Sequence, residues 1–337
     1  MANISRRQFG EILGMSLLAS QLPKVAAANS ATIVKPPRLQ PGDTVGLISP
    51  ASPVDREDVA DAVAAMNQLG LKAKLGAHIL DEYGYLAGSD ANRAADVNTM
   101  FRDGTVKAII TMRGGWGCNR ILPLLDYNLI RQNPKIIIGF SDITSLLLAI
   151  YARTGIVTFH GPVGISSWNS FSVNYFQRLL FAGESVTLRN PRTLRVQTIT
   201  GGQTRGRLVG GNLSVIASML GSDYLPDWGK TILFVEEIDE HIYSIDRLLT
   251  QLKIAGILDK IAGFIFAECT DCTAGEGDEP SLTLNQVLQD IIKPLGIPAW
   301  YGAAIGHIRD KFTVPLGVEA EIDAGLGTIR LLESAVM

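Results

Sequence analysis

Short runs of β-branched and other apolar residues alternate along the first half of the chain with segments of helical spacing. The runs at 44–49, 106–112 and 135–138 predict buried strands, because strands covered on both faces are continuously apolar. Apolar residues recur every three or four positions at 56–69 and 93–101, which predicts helices. Strands that alternate with helices in this way predict an α/β fold with an open, mainly parallel sheet and helices on both faces.

The second half of the chain repeats the pattern with a different ending. Strands are predicted near 231–235 and 261–266, and helices near 243–254 and 281–292. The last apolar segments, between 314 and 332, favour a closing antiparallel hairpin. We therefore expect a smaller C-terminal α/β domain with a partly antiparallel, barrel-like sheet.

A polar stretch separates the two halves. Residues 169–205 are rich in Ser, Asn, Thr and Arg and have little apolar rhythm, so we interpret them as a linker. The predicted N-terminal domain then spans 36–168 and the C-terminal domain spans 206–333.

The first 28 residues have the features of a twin-arginine export signal. Arg6 and Arg7 precede a weakly apolar stretch from Ile12 to Leu22, and Ala26-Ala27-Ala28 offers a small-residue cleavage site. An amphipathic surface helix is the alternative. The signal predicts a periplasmic protein, and no later apolar run is long enough to keep the processed chain in a membrane.

Composition narrows the range of partners and cofactors. The chain has 337 residues, 47% of them hydrophobic and 19% charged, and a net charge of −3, which argues against nucleic-acid binding. Cys269 and Cys272 have CxxC spacing, but no second pair completes a zinc site, so we expect no metal. A short-loop disulfide and two free thiols both remain open for this pair, and we assign it no catalytic role.

Ser141 lies where an apolar strand gives way to a helix. A serine at a sharp strand-to-helix turn has its hydroxyl at the carboxyl end of the sheet, and the N–H of Asp142 falls at a helix N-terminus. This geometry suits a nucleophile with half of an oxyanion hole. The alternative is that Ser141 or Asp142 merely caps the helix.

A glycine-rich turn follows the preceding strand. Gly114, Gly115 and Gly117 allow close approach of a ligand, and the N–H of Gly115 is the candidate second oxyanion donor. A plain tight turn explains the glycines equally well, and the segment is not a P-loop. Arg113 is a candidate for binding a substrate carboxylate, by position only, and a brace for this turn is its other role.

A nucleophilic serine needs a base and an orienting carboxylate. His160 and His307 each follow a predicted strand, whereas His78 and His241 lie in polar segments. Glu236 ends an apolar strand, an unusual place for an acid unless it faces a cleft or a partner. Spacing alone does not choose between His160 and His307.

Eight motifs in order resemble the LD-carboxypeptidase family of serine peptidases, which includes the microcin C self-immunity peptidases. The resemblance covers roughly residues 36–332 and is carried by the segments 85–90, 113–117, 139–144, 160–162, 210–213, 233–237, 245–247 and 306–307.

The resemblance implies a Ser-His-Glu triad in a cleft between two domains. Ser141 matches the nucleophile, Glu236 the acid and His307 the base. Family members release the terminal D-alanine of murein tetrapeptides without a metal or cofactor and are commonly dimeric, so the resemblance implies a murein peptide substrate and a homodimer. Relatives that recycle murein usually lack an export signal, which this chain has.

Two further residues are candidates for substrate binding. Trp116 stands where a tyrosine is frequent in the family, and Asn212 belongs to the Gly-Gly-Asn-Leu motif. A microcin-type peptide or acyl-nucleotide hydrolase with the same triad is an alternative function. A non-catalytic exported two-domain binding protein is another, and convergence of Ser141, Glu236 and His307 would argue against it.

Overall fold

The computed structural model describes residues 32–275 and 280–337. The predicted signal peptide, 1–28, lies outside the described residues. Residues 32–337 belong to one compact unit that contains two β-sheets.

The first sheet has six strands in the order β12-β5-β4-β3-β1-β2, and β1 to β5 are parallel to one another. The strands are β1 (Thr44–Ile48), β2 (Lys72–Leu75), β3 (Val106–Thr111), β4 (Ile136–Gly139), β5 (Thr158–His160) and β12 (Val314–Leu316). The helices of this half are α1 (Arg56–Gln68), α2 (Asp90–Arg102), α3 (Cys118–Ile121), α4 (Tyr127–Gln132), α5 (Ile143–Thr154) and α6 (Ser170–Leu180). The predicted α/β class with a mainly parallel sheet is confirmed.

The apolar runs form the central strands because both of their faces are covered. Ile136, Ile137 and Ile138 of β4 are fully buried, and burial of each such side chain contributes about 2 kcal/mol to stability. The helices begin where side chains satisfy free N–H groups: Asp55 forms a capping box with Asp58 at the start of α1.

The second sheet has eight strands in the order β6-β14-β13-β8-β9-β10-β11-β7. Strands β8 to β11 are parallel to one another, and antiparallel strands flank them on both sides. The strands are β6 (Thr187–Arg189), β7 (Gln197–Thr200), β8 (Gln203–Asn212), β9 (Thr231–Ile238), β10 (Gly263–Thr270), β11 (Ala299–Ala303), β13 (Val318–Asp323) and β14 (Thr328–Leu331), and the helices are α7 (Leu213–Ser218), α8 (Ile242–Ile254) and α9 (Leu284–Ile291).

The second sheet differs from the expected smaller, barrel-like domain. It contains more strands than the first, and its short outer strands, β6 and β7, each pair on one side only within the described chain. The barrel-like closure is therefore not confirmed, whereas the predicted hairpin is present as β13 and β14.

The segment interpreted as a linker, 169–205, holds a helix, two strands and the first residues of β8. Asn169 caps α6, which buries Tyr175, Phe176 and Leu179 beneath a polar outer face. Strands β6 and β7 join the second sheet at its two edges. The polar composition of the segment reflects surface exposure rather than absence of structure.

The chain returns to the first sheet near its end. Strand β12, which lies within the predicted C-terminal domain 206–333, pairs antiparallel with β5, and Val314 faces His160 in the register. The segment between β11 and β12 therefore crosses from the second sheet to the first and carries His307 with it. No helix in the described residues has the length and apolar character needed to span a bilayer.

Candidate active site

Ser141 lies at the turn between β4 and α5 in a left-handed backbone conformation, with φ of 64°. Such a conformation costs a non-glycine residue about 1–2 kcal/mol. The other non-glycine residues with positive φ in the described chain are Lys230, Asp239 and Asp271. Ser141 is the one among them that joins a fully buried strand to a helix, as expected for a nucleophile held in a strained turn.

The glycine-rich turn after β3 packs directly on this serine. A Cβ added to Gly114 would lie 2.7 Å from the Cβ and 2.9 Å from the Oγ of Ser141, so only glycine fits there. The N–H groups of Gly115 and Asp142 donate to no protein acceptor among the residues that the structure describes. Neither predicted oxyanion donor is therefore occupied by another group of the described fold.

Glu236 lies near the end of β9 and is fully inaccessible to solvent. Its Oε2 is 2.7 Å from Nδ1 of His307, which is a short, charge-assisted distance. The side chain of His307 is 16% exposed, so one edge of the ring reaches solvent while Nδ1 is held by the acid. The structure thus joins the predicted acid and the predicted base.

Gly306 makes this contact possible. Its φ is 95°, and an added Cβ would lie 2.3 Å from Oε2 of Glu236. A side chain at this position would displace the carboxylate or the loop that carries His307.

His160, the other candidate base, lies on the opposite oxygen of the same carboxylate. Its Nε2 is 3.8 Å from Oε1 of Glu236, which is an ion-pair distance but too long for a hydrogen bond. His160 is 1% exposed and is packed between the rings of Phe140 and Phe234. A ring buried this deeply cannot approach a substrate, so the geometry favours His307 as the base.

Burial by itself would raise the pKa of Glu236. The neighbouring rings of His160 and His307 outweigh this effect and lower the pKa of Glu236 to about 2. The acid is therefore ionised at neutral pH, as the orienting role predicted for it would require.

Phe140 adjoins both Ser141 and His307, the candidate base. It directly precedes Ser141, and its ring centroid is 4.9 Å from that of His307 in an edge-to-face arrangement. No hydrogen bond joins Ser141 to His307 in the described chain, and such contacts in enzymes without substrate are often long. Ser141, Glu236 and His307 thus belong to one cluster, in which only Glu236 and His307 are hydrogen-bonded to each other.

The candidate substrate-binding residues behave differently from one another. The guanidinium of Arg113 is 3.4 Å from the carbonyl oxygen of Pro53, so it braces the turn. Trp116 is 53% exposed and packs edge-to-face with the exposed ring of Tyr85. These two aromatic rings form an open surface next to the glycine-rich turn.

The side chain of Asn212 is buried, and both of its polar atoms are hydrogen-bonded. Its amide nitrogen donates to Glu237, its oxygen accepts from the N–H of Val215, and its backbone N–H donates to the hydroxyl of Thr144. Thr144 belongs to α5, directly after the serine turn. In this structure Asn212 ties the second sheet to the helix that begins at the serine.

The CxxC pair lies at the end of β10, beside the cluster. The structure joins Cys269 and Cys272 as a disulfide. Thr270, between them, donates its hydroxyl hydrogen to the carbonyl oxygen of His307 at 2.9 Å. Sequence reasoning missed this contact because the two residues are close only across the second sheet. It also missed Phe140 and Lys311, for which the sequence carries no signal beyond proximity to Ser141 and His307.

The described residues contain no group of three or more His, Cys, Asp or Glu side chains that could hold a metal ion. His78 and His241 lie away from the cluster: His78 pairs with Asp81 at 2.9 Å, and His241 precedes α8.

Comparison with known proteins identifies the family. The LD-carboxypeptidase N-terminal domain matches residues 45–161, and the LD-carboxypeptidase C-terminal domain matches residues 205–322. The chain belongs to the LD-carboxypeptidase family.

Relatives of this family member align along nearly their whole length. A probable murein peptide carboxypeptidase of Bacillus subtilis is 41% identical and covers 90% of this chain and 95% of its own. The microcin C7 self-immunity protein MccF of Escherichia coli is 31% identical, over 87% and 94% of the two chains. A murein tetrapeptide carboxypeptidase of Pseudomonas aeruginosa is 30% identical, over 83% and 92%.

The fold agrees with a solved structure. The structure of MccF in complex with glutamyl sulfamoyl guanosine superimposes with a TM-score of 0.83 and 27% identity, over 90% of this chain and 99% of the other.

Proposed function

We propose that this protein is a serine carboxypeptidase that hydrolyses the L,D-peptide bond before the terminal D-alanine of murein tetrapeptides. The observation that carries the proposal is the 2.7 Å contact between a buried, ionised Glu236 and a partly exposed His307, next to a serine in a strained turn. The carboxypeptidase names of the Bacillus subtilis and Pseudomonas aeruginosa relatives support the choice of substrate.

In the proposed mechanism His307 acts through its second ring nitrogen. Glu236 holds Nδ1 and stabilises the imidazolium, while Nε2 takes the proton of the Ser141 hydroxyl. Ser141 attacks the carbonyl carbon of the residue before D-alanine. This step requires Oγ and Nε2 to approach within about 3 Å in the substrate complex.

The tetrahedral intermediate carries a negative oxygen that needs donors. The free N–H groups of Asp142 and Gly115 supply them, and loss of one such donor typically costs about 3 kcal/mol. Protonation by His307 releases D-alanine, and water then hydrolyses the acyl-enzyme by the same acid–base route.

Mass spectrometry of purified muropeptides tests the proposal. Incubation with the wild-type protein should convert disaccharide tetrapeptides to tripeptides, with a loss of one D-alanine, and Ser141→Ala should leave them unchanged. Tetrapeptides that survive incubation with folded wild-type protein would contradict the proposed reaction.

The likeness to MccF favours a second candidate, a microcin-type peptide or acyl-nucleotide hydrolase with the same triad. An aminoacyl sulfamoyl nucleoside added to the same assay separates the two, because only this second activity releases its amino acid.

We also propose export through the twin-arginine route to the periplasm. Arg6, Arg7 and the alanine-rich cleavage site support it, and the Cys269–Cys272 disulfide is of a kind that persists in an oxidising compartment. Replacing both arginines by lysine should leave uncleaved precursor in the cytoplasm; normal periplasmic levels of the doubly substituted protein would contradict this route. A homodimer remains our expectation, which sedimentation of the purified protein would test.

A further inference from the structure

A buried lysine lies beside the cluster and has no role in the mechanism above. Lys311 follows His307 by four residues on the segment that crosses between the sheets, and it is 6% exposed. Its Nζ is 5.1 Å from the centroid of the Phe140 ring, which itself contacts His307. The ammonium group is thus one aromatic ring away from the proposed base.

This ammonium has no anionic or carbonyl partner at hydrogen-bonding distance. Within residues 32–275 and 280–337, Nζ of Lys311 forms no hydrogen bond and no ion pair, and the carboxylates of Glu236 and Asp310 act on it only from a longer distance. The nearby carboxylate of Glu236 is already bound by His307. Nζ is not one of the fully enclosed polar atoms that lack a partner in the described chain, so it keeps contact with solvent and is open to a ligand, while Phe140 supplies a cation–π contact.

Lys135 is a second buried lysine of this protein, and its ammonium group is hydrogen-bonded within the fold. It is 7% exposed, and its Nζ donates to the carbonyl oxygen of Met100 at 2.8 Å and to that of Asp103. Burial lowers the pKa of both Lys135 and Lys311 to about 8. The two lysines therefore share their burial and differ in their partners: Lys135 is satisfied within the fold, whereas Lys311 is placed to bind an anion from outside it.

We propose that the ammonium group of Lys311 binds the terminal carboxylate of the peptide substrate. The inference rests on the proposed function, since a carboxypeptidase substrate always carries this anion one residue beyond the bond that is cut. The carboxylate lies about 4 Å from the scissile carbon, so its binding cation belongs within about 8 Å of the attacking oxygen. Lys311 packs against Phe140, the residue that directly precedes Ser141, and the Phe140 ring also contacts His307.

Arg113 is the competing cation. Its guanidinium already contacts the carbonyl oxygen of Pro53, and it lies on the glycine-rich turn rather than on the segment that carries the base. Loss of the Arg113 side chain is expected to disturb the turn, and hence to lower the activity on acid and amide substrates by the same factor.

The test compares two tetrapeptides that differ only at the carboxyl end, one in D-alanine and the other in D-alaninamide. The wild-type protein should prefer the acid by about 10- to 100-fold in kcat/KM, the range expected for a charge-assisted contact. Lys311→Met should lose most of the activity on the acid and little on the amide, so that the preference falls toward one. Lys311→Arg should retain part of the preference.

Controls separate this role from stability. Lys135→Met removes an equally buried ammonium and should lower the melting temperature without changing the acid-to-amide ratio. Should Lys311→Met unfold, Lys311→Gln, which keeps a polar end, provides the same comparison in a folded protein. A folded Lys311 variant that keeps the full preference, or an Arg113→Met variant that alone abolishes it, would overturn the assignment. A wild-type protein that cleaves neither peptide would instead overturn the proposed function on which it rests.

Discussion

Ser141 lies in a ten-residue segment that contains its own strand, turn and helix start, whereas Glu236 and His307 are 71 residues apart and meet only through the second sheet. The serine turn is fixed by local backbone geometry and by Gly114 packed against it. The acid–base pair depends on strand pairing, on Gly306 and on a loop that crosses to the first sheet. The first half of the site should therefore tolerate distant changes better than the second.

The largest effect is expected at Ser141. Ser141→Ala should lower kcat by about four to six orders of magnitude, and His307→Ala added to it should cost little more, because residues that act as a unit are not additive. Activity on tetrapeptide, measured by D-alanine release, checks this. A Ser141→Ala protein with near wild-type release would remove the serine from the mechanism.

Ser141→Gly extends this prediction to the strained turn. It should be as inactive as Ser141→Ala but more stable by about 1 kcal/mol, since glycine adopts a φ of 64° without strain. Lys230→Gly is the matched control: Lys230 has a φ of 59° in an exposed turn, so it should gain similar stability and keep full activity. Equal stability of Ser141→Gly and Ser141→Ala would show that the backbone at position 141 is not strained.

The next largest effect is expected at the two histidines beside Glu236, whose replacement should affect different properties of the protein. His307→Ala should reduce kcat by about 10⁴-fold, and Glu236→Gln somewhat less, because an imidazole without its acid retains some function. His160→Ala should mainly lower the melting temperature, since its ring fills a space between Phe140 and Phe234. A folded but inactive His160→Ala beside an active His307→Ala would transfer the role of base to His160.

Glu236 also predicts how stability depends on pH. Its pKa is lowered in the folded state, from 4.5 to about 2, so the unfolded chain binds the proton more readily between these values. The stabilisation is therefore complete above about pH 4.5 and is lost as the pH falls toward 2. Denaturant unfolding of the wild type and Glu236→Gln should show a difference in the free energy of unfolding that shrinks across this interval.

A smaller effect is expected from Gly306→Ala. The new Cβ would meet Oε2 of Glu236, so kcat/KM should fall by about 10- to 100-fold and stability by about 2 kcal/mol. Gly296 is the control, since it has a φ of 66° and open space around its Cβ position. Gly296→Ala should show the backbone cost alone, with unchanged kinetics, and equal kinetics of the two variants would contradict the steric explanation.

The sequence predicts local features such as the serine turn well, and it predicts long-range contacts such as the acid–base pair poorly. Apolar runs such as 135–138 and the serine turn are local features, and their positions and the fold class are confirmed. The choice between His160 and His307 came from family resemblance, because no spacing rule reports which ring is buried. The helix at Ser170–Leu180 was hidden by polar surface residues, and the pairing of β12 with β5 depends on contacts more than 150 residues apart.

The smallest effect is expected at the end of β10. Thr270 holds the carbonyl oxygen of His307, so Thr270→Val should lower kcat by a few-fold with little change in KM, whereas Thr270→Ser keeps the hydroxyl and should restore it. The double change Cys269→Ser, Cys272→Ser removes the disulfide but leaves Thr270, and its activity should stay within about threefold of wild type, also in the presence of EDTA. Because the bond from Thr270 reaches the backbone of His307, its loss should shift the placement of the ring without changing the chemistry, and the pH profile of kcat should keep its shape. An unchanged kcat in Thr270→Val would show that the loop does not position the base. Wild-type activity that disappears on chelation and returns with zinc, but is already absent from the double cysteine variant, would show that the cysteines hold a metal.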